Sequence, residues 1–385
     1  MATTNQSLSR QTAWWGEPLA GYLGGRDNNF NLVRIVAALA VLVSHAFAVT
    51  TGDETSEPLR ALTGLSLGQF AVAVFFGISG LLIARSFDRR ETIVHFGAAR
   101  FLRLWPALTV VILLSVFVLG PAMTELPTAD FFASPRTWEF IPSNFTLVFR
   151  DATLPGVFLD NPQSPSTNGS LWSLFYEVVC YGGVVVAGYL GALRRDWRFA
   201  VLLAGATIGH VLSVIYSPAG GLAYRLDTLG FIGFPFVLGM AAYVWRDQVR
   251  LGPAGVALCW LLVAAMAQTM FFSSAIMAAL VYTTLWLVLV PKGAVLAYNR
   301  VGDFSYGVYI FAYPIQQTLV AVWPGMSAWT NILAAVPLTL LFAIASWFMV
   351  EKPSLALARP LGDRLAMLSR RGAHPIVAEA SNNEA

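Results

Sequence analysis

The stretch LVRIVAALAVLVSHAF, residues 32–47, has the apolar composition of a membrane-spanning helix, yet it contains an arginine and a histidine. On a helix of 3.6 residues per turn, the eleven positions from Arg34 to His45 make almost three turns. The two side chains therefore share one stripe of the helix and lie roughly 16 Å apart along its axis. Because ionisable residues inside a membrane are costly and usually mark function, this stripe indicates a functional role.

The composition of the whole chain is that of a membrane protein. Hydrophobic residues make up 57% of the 385 residues and charged residues only 12%, whereas soluble domains average about 25% charged residues. Several segments exceed the roughly 20 apolar residues that are needed to cross a bilayer. We therefore predict an all-α polytopic protein with ten spanning helices, at residues 31–50, 66–86, 101–120, 170–191, 199–216, 227–245, 253–269, 272–291, 302–321 and 330–350.

The distribution of lysine and arginine predicts how these helices are oriented. If the N-terminus is cytoplasmic, four of the 24 basic residues fall on the outer side, namely Arg60, Arg136, Arg150 and Arg225. The excess of basic residues on the other side predicts that both termini are cytoplasmic. The expected location is the cytoplasmic (inner) membrane, with membrane lipids around the bundle and no nucleic acid as a partner.

Two segments outside the predicted spans have distinctive compositions. Residues 121–169 form a long external loop, and loops of this length in compact proteins are usually functional or disordered. In residues 351–371, apolar and basic side chains are interleaved, which is typical of a helix on the cytoplasmic leaflet. The aromatic residues of the external loop predict that it packs over the bundle; they are Phe131, Phe132, Trp138 and Phe140.

His45 and Glu177 are the candidate catalytic residues. His45 lies near the outer end of the first predicted helix, and imidazole titrates near neutral pH, so it can act as a general base. Glu177 lies at a similar expected depth in the fourth helix, where a carboxylate can orient the imidazole. Structural roles remain open for both residues: a hydrogen bond within the bundle for His45, and one to Ser173 or Tyr181 for Glu177.

Three arginine residues are expected at the inner surface of the bundle. Arg100 and Arg103, in ARFLRLWP (99–106), are spaced i, i+3 and project from one helix face, and Arg34 is expected at the same membrane level. Guanidinium groups form paired hydrogen bonds with phosphate oxygens, so these residues predict a site for a phosphate-bearing cytosolic ligand. Anchoring at the cytoplasmic surface remains the alternative for each arginine taken alone.

The other polar candidates form no metal-binding or disulfide pattern. Ser305, Tyr306 and Tyr309 begin the ninth predicted helix, where packing with one hydrogen bond each is an alternative to a substrate role. Cys180 and Cys259 lie in apolar segments, which predicts buried thiols rather than a disulfide. The histidines have no repeating partner spacing, so we expect no metal site and no permanently bound cofactor.

The separation of these groups by depth suggests a reaction. Arginines at the inner surface and a histidine in the outer half fit a thioester donor such as acyl-coenzyme A (acyl-CoA). Its phosphates would bind the arginines, and its thioester would reach His45. We therefore expect acyl-CoA as the co-substrate, and acetyl-CoA is the first candidate for it.

These residues resemble the sequence blocks of a known family, the integral-membrane acyltransferase-3 group. FNLVR (30–34) with His45 is similar to the family opening, Phe-Asp-x-Leu-Arg followed by an Ala-rich helix and a histidine. The resemblance covers roughly residues 28–355. Five later segments resemble the following blocks of the family in the same order: FFGISGLLI (75–83), RFLRLWP (100–106), SLWSLFYE (170–177), SYGVYI (305–310) and VEKP (350–353).

The resemblance implies a ten-helix enzyme that O-acylates sugars of lipopolysaccharide, other polysaccharides and related glycans or glycolipids. It implies that His45 is the catalytic base, that Arg34, Arg100 and Arg103 serve the acyl donor, and that Glu177 is functionally important. Further substrate-contacting or supporting positions are implied at Asn31, Trp172, Ser173, Ser305, Tyr306 and Tyr309. The implied domain plan is a cytoplasmic tail (1–27), a transmembrane acyltransferase domain (28–355) with the external loop 121–169, and a second cytoplasmic tail (356–385).

Two positions depart from the family pattern, and two other functions stay open. Asn31 stands where many members have Asp, and Ala312 stands where many have a second histidine. These changes are compatible with an inactive relative that acts as an assembly partner. The other alternative is a transporter or flippase for a glycan carrier, although no inverted repeat of the transporter kind is apparent in the sequence.

Overall fold

The computed structural model describes residues 14–25, 27–89, 92–148, 152–216 and 220–372 of the chain, with side chains up to residue 368. The short strands β1 (Glu17–Pro18) and β2 (Arg250–Leu251) pair antiparallel. The main helices are α1 (Phe30–Thr51), α2 (Leu67–Arg89), α3 (Ile93–Leu114), α4 (Thr128–Ala133), α5 (Pro135–Phe145), α6 (Trp172–Tyr189), α7 (Trp197–Ile215), α8 (Gly221–Val244), α9 (Pro253–Ala265), α10 (Phe272–Leu289), α11 (Ser305–Val322), α12 (Ala328–Ser346) and α13 (Ala358–Gly372).

Each predicted span corresponds to a helix, and eight helical segments of the described chain are long and apolar enough to cross a membrane. The two exceptions are α9, which has 13 residues, and α11, which has 18 residues but a more polar composition. The all-α polytopic class is therefore confirmed. The count of ten spans and the cytoplasmic location of both termini stay predictions.

Helix α11 is polar because it is shielded from lipid. Nearly all of its residues from Ser305 to Gln317 are buried, including two glutamines that are fully buried. A helix surrounded by other helices places its polar side chains against protein, so it does not need an apolar surface on every side. The low hydropathy of α11 thus indicates a central position in the bundle.

The third predicted helix begins earlier than expected, at residue 93 rather than 101. The Thr92 side chain accepts a hydrogen bond from the His95 amide and caps the first turn. The helix then continues through a π-helical turn (Ser115–Leu119) to Met123. As a result, Arg100 and Arg103 lie two to three turns inside α3 rather than at its start.

Helices α2 and α8 approach so closely that they require glycine at the contact. A Cβ atom on Gly80 would lie 1.9 Å from the Phe236 carbonyl oxygen, and one on Gly239 would lie 2.1 Å from the Gly77 carbonyl oxygen. Small residues at such contacts let two membrane helices pack backbone to backbone. Helix α2 is thereby packed backbone to backbone on α8.

Both predicted tails pack on the bundle where the structure describes them. In the N-terminal tail, Leu19 is fully buried and its amide donates a hydrogen bond to the Val249 carbonyl at 2.8 Å. At the other end, α13 packs on the start of α3, where Asp363 lies 2.8 Å from His95 Nε2. Residues 1–13 and 373–385 of the two tails lie outside the described residues.

The external loop packs over the bundle, as its aromatic residues predict. Phe131 and Phe140 are buried, whereas Trp138 is 47% exposed. Asn161 donates hydrogen bonds of 2.9 and 2.8 Å to the backbone and side-chain oxygens of Gln317. The second half of the loop therefore closes the outer end of α11.

A proline in α11, Pro314, explains one contact between this helix and the external loop. Pro314 has no amide hydrogen, so the Ile310 carbonyl in α11 has no helical partner. The Asn168 side chain donates a hydrogen bond of 3.0 Å to this carbonyl. The loop residues near Asn168 are thus inserted into the bundle, which determines the depth at which α6 begins.

Candidate active site

The polar stripe of α1 faces α11, and the two helices run in the same direction. Arg34 contacts Asp303 just before α11, Leu42 packs against Ala312, and the His45 ring lies against the Tyr313 ring. Residues further along α1 thus meet residues further along α11. The stripe has one polar contact at its inner end, which is predicted to face the cytoplasm, and another at its outer end.

At the inner end, Asp303 joins two of the predicted arginines. Its Oδ2 atom accepts hydrogen bonds from Arg34 Nη1 at 3.1 Å and from Arg103 Nη2 at 2.6 Å. Its Oδ1 atom accepts a hydrogen bond of 2.6 Å from Ser305 Oγ. The buried Asp303 carboxylate is therefore paired with two guanidinium groups and one hydroxyl.

A second buried carboxylate lies on the other side of Arg103. Glu351 Oε2 is 3.9 Å from Arg103 Nη1, and Glu351 Oε1 accepts a hydrogen bond of 2.9 Å from Ser346 Oγ. The Arg103 guanidinium also lies over the Tyr306 ring, 5.9 Å from its centroid. Arg103 is therefore held from three directions, by two carboxylates and an aromatic face.

Glu177 belongs to the same inner group. It accepts a short hydrogen bond from the Tyr181 hydroxyl, one of the two structural partners considered from the sequence. The Arg100 guanidinium lies over the Tyr181 ring, 5.9 Å from its centroid. Arg34 and Arg103 thus pair with carboxylates, whereas Arg100 reaches the group through the Tyr181 ring, whose hydroxyl bonds Glu177.

A cavity with about 510 Å³ of space that no atom occupies, part of it open to solvent, lies beside this group and is lined in part by Arg34, Arg103 and Glu177. Ser173 Oγ lies 2.6 Å from the Tyr309 hydroxyl at the outer side of the cavity. The polar lining residues are Arg34, Ser79, Arg103, Ser173, Glu177, Ser305, Tyr306 and Tyr309.

At the outer end, His45 has an aromatic neighbour and a free nitrogen. Its ring meets the Tyr313 ring edge-on, with a centroid distance of 5.3 Å. His45 Nδ1 is buried and has no hydrogen-bond partner among the residues that the structure describes. An imidazole nitrogen without a protein partner can accept a proton from a bound group.

The equal depth expected for His45 and Glu177 is wrong. Helix α6 runs antiparallel to α11, so Gly169 lies beside Tyr313, Ser173 bonds Tyr309, and Glu177 shares the inner cavity with Ser305. His45 is level with Tyr313 and hence with Gly169, eight residues before Glu177. The two residues therefore differ in depth by roughly 12 Å at about 1.5 Å per residue.

The error arises from the way α6 begins. A depth measured from the end of the apolar segment assumes that this end lies at the membrane surface. Ser170 and Leu171, just before α6, are instead 0% and 1% exposed. The helix begins inside the bundle, so each of its residues lies deeper than the count suggests.

The remaining predicted positions are dispersed around the site. Trp172 packs edge-on against Tyr176, and Asn31 is half-buried in the first turn of α1; neither residue lines the cavity. Ala312 is buried against Leu42 and Ala335. Tyr306 donates a hydrogen bond of 2.9 Å to the Leu104 carbonyl.

Asp303, Glu351 and Tyr313 were missed by the sequence reasoning. Asp303 and Glu351 are acidic residues at the ends of apolar segments, so the rule that marks intramembrane ionisable residues could have found them. Tyr313 offers no such signal. No group of three His, Cys, Asp or Glu residues that could hold a metal ion occurs in the described part of the chain.

Comparison with known proteins agrees with the resemblance inferred from the motifs. The family described as "Acyltransferase domain" in the acyltransferase-3 group matches residues 27–351. The O-acetyl transferase of Shigella phage Sf6 is 27% identical over 87% of this chain and 98% of the phage protein. Nodulation protein 10 of Rhizobium leguminosarum bv. viciae is 28% identical over 92% of this chain and 98% of that protein.

No solved structure matches the chain. The family match nevertheless spans helices α1 to α12 and ends at Glu351, and it includes every residue of the inner cluster and His45. The relatives also align over nearly their full lengths. This protein therefore belongs to the acyltransferase-3 family and is a multi-pass membrane acyltransferase.

Proposed function

We propose that the protein transfers an acyl group, in the first instance acetyl, from cytosolic acyl-CoA to a hydroxyl group of a cell-surface or exported glycan. The observation that carries this proposal is the polar stripe shared by α1 and α11. One end holds arginines around a cavity, and the other holds a histidine whose Nδ1 has no partner among the described residues. A donor with phosphates and a distant thioester fits such a two-ended site. The phage relative's name, O-acetyl transferase, supports O-acylation.

In this proposal the arginines bind the donor. Arg34 and Arg103 line the cavity, and Arg100 lies beside it over Tyr181. A guanidinium group has five N–H donors in a plane and binds phosphate oxygens in pairs. Glu177 and Tyr181 lie within this group, so their contribution is to donor binding rather than to the orientation of His45.

His45 acts as the general base. The acceptor hydroxyl loses its proton to His45 as its oxygen attacks the thioester carbon. The carbon–sulfur bond then breaks, and the departing CoA thiolate takes the proton from the protonated His45. This transfer restores the neutral imidazole. The products are an ester on the acceptor and free CoA.

The proposal is tested with the protein in its membrane. Cells that make the wild-type chain are compared with cells that make His45→Ala, and their surface and exported glycans are analysed by mass spectrometry. We expect glycans with one added acyl group in the first cells and none in the second. Membranes from both are also incubated with acetyl-CoA, and the release of free CoA thiol is measured. Identical glycans in both cells, with no CoA release, would contradict the proposal.

A further inference from the structure

Asp303 is the residue on which the inner cluster is centred. It is 7% exposed and lies just before α11, while its partners Arg34 and Arg103 come from α1 and α3. Ser305, in the first turn of α11, holds the other carboxylate oxygen. Three elements that are distant in sequence therefore meet at one carboxylate.

Both oxygens of this carboxylate are occupied by protein donors. Oδ2 accepts from the two guanidinium groups, and Oδ1 accepts from the Ser305 hydroxyl at 2.6 Å and from the Ser305 amide at 3.4 Å. Bonds on both oxygens hold the carboxylate in one orientation. Asp303 accepts one N–H from each arginine, and each guanidinium group has five. Both arginines therefore retain N–H donors beyond the one that Asp303 accepts.

The two guanidinium groups would not stay together without a negative charge between them. Their side chains are only 21% and 11% exposed, so water screens their mutual repulsion weakly. Bonds to the same Oδ2 atom keep them adjacent, and both line the cavity. Adjacent guanidinium groups at a cavity wall form a site for a phosphate group.

We propose that Asp303 is a positioning residue that holds Arg34 and Arg103 in the arrangement that binds a phosphate group of the acyl donor. This inference rests on the proposed function, because the donor is taken to be acyl-CoA. The competing role is that of a simple counter-ion, which neutralises the arginines and competes with the incoming phosphate. The two roles predict opposite changes in donor affinity when the charge is removed.

The test measures the affinity of purified protein in detergent for coenzyme A, together with kcat and KM for acetyl-CoA. For Asp303→Asn we expect CoA affinity to fall about ten- to a hundredfold, the range for hydrogen bonds to charged groups. KM for acetyl-CoA should rise more than kcat falls. Unchanged or tighter CoA binding would overturn the proposal and favour the counter-ion role.

A double-mutant cycle shows whether Asp303 acts through an arginine. If Asp303 positions Arg34, then Asp303→Asn combined with Arg34→Ala should bind CoA within about twofold of the weaker single variant. If the double variant instead loses CoA affinity by the product of the two single-variant factors, Asp303 acts independently of Arg34. That result also contradicts the proposal. Asp303→Glu, which keeps the charge, should recover part of the lost affinity.

Two further variants guard against misfolding. Asp88→Asn removes a carboxylate that accepts a 2.6 Å hydrogen bond from Tyr243 at the exposed end of α2, and it should leave CoA affinity unchanged. If Asp303→Asn does not elute as a single species, Ser305→Ala replaces it, because this change removes only the hydroxyl bond to Oδ1. It should weaken CoA binding several-fold, and an unchanged affinity would overturn the proposal. Failure of the wild-type chain to bind CoA would refute the proposed donor itself, a result distinct from those above.

Discussion

The two ends of the α1–α11 contact differ in how their polar groups are satisfied. At the inner end, each charged group of the cluster has an oppositely charged or aromatic neighbour within the protein. At the outer end, the His45 ring packs edge-on with the Tyr313 ring, and its Nδ1 has no partner in the described part of the chain. Groups held by the protein before a ligand arrives provide binding geometry, whereas an unpartnered nitrogen is available for chemistry. In the proposed mechanism, the inner end therefore binds the donor, and the outer end carries out the reaction.

The largest effect is expected at the outer end. His45→Ala should lower acyl transfer by about a hundred- to ten-thousandfold, because loss of a general base typically has this effect. CoA affinity should stay at the wild-type value, since His45 does not line the inner cavity. The measurements are CoA release from acetyl-CoA and CoA binding by the purified variant.

His210 supplies the control for that change. His210 is fully buried, whereas His45 is half-buried, and the His210 ring stacks on Phe231 and Phe234, away from the site. His210→Gln should lower protein yield without a selective loss of transfer. Normal transfer by His45→Ala would remove the distinction between a binding end and a reacting end.

A smaller effect is expected from the arginines, and it should appear in binding. Arg103→Ala should weaken CoA affinity by about ten- to a hundredfold, because charge-assisted hydrogen bonds to phosphate are lost. Arg103→Lys should recover only part of this, since lysine lacks the planar fork. Arg195→Ala, which breaks an ion pair with Asp247 outside the cavity, is the matched control. Equal CoA affinity in all three variants would reduce Arg103 to a structural anchor.

The sequence predicted the helices and the candidate residues better than it predicted which of them contact each other. Hydropathy located every long helix, because a membrane imposes length and apolarity on each segment separately. The partner of Arg34 lies 269 residues away, and no local pattern connects the two positions. The depth of Glu177 was misjudged for a related reason, since the loop residues that bury the start of α6 act through contacts with α11. Motif blocks identified the residues of the site, and tertiary packing determined which of them meet.

Substitution of Glu177 tests whether this residue acts at the inner end of the stripe or together with His45 at the outer end. Glu177→Gln should raise KM for acetyl-CoA up to about tenfold, because it weakens the hydrogen bond that holds Tyr181, and the Tyr181 ring supports Arg100. The pH dependence of kcat should not move, since His45 lies roughly 12 Å further out. Tyr181→Phe removes the hydroxyl that donates to Glu177 and should give a similar but weaker rise in KM. A shifted pH profile with an unchanged KM would restore Glu177 as the partner of His45.

The smallest effect is expected midway between the ends, at Tyr309. Its hydroxyl donates a hydrogen bond of 2.8 Å to the Ser170 carbonyl and lies 2.6 Å from Ser173 Oγ, so it fastens the start of α6 to α11. Tyr309→Phe keeps the ring and removes only the hydroxyl contacts with Ser170 and Ser173. We expect kcat to fall a few-fold, because the loss of about 1 kcal/mol of hydrogen bonding loosens the alignment between donor site and base. CoA affinity should be unchanged, since the charged cluster lies one turn further in.

Tyr282→Phe provides the comparison for this small effect, because it removes a hydroxyl that bonds the Arg250 carbonyl at 2.7 Å, outside the cavity. It should change thermal stability to a similar extent and leave kcat intact. Ser173→Ala, which removes the other hydroxyl of the pair, should reproduce the fall in kcat. If Tyr309→Phe and Ser173→Ala instead weaken CoA binding and spare kcat, Tyr309 belongs to the inner end. The boundary between binding and reacting groups would then lie closer to His45, between Tyr309 and Tyr313.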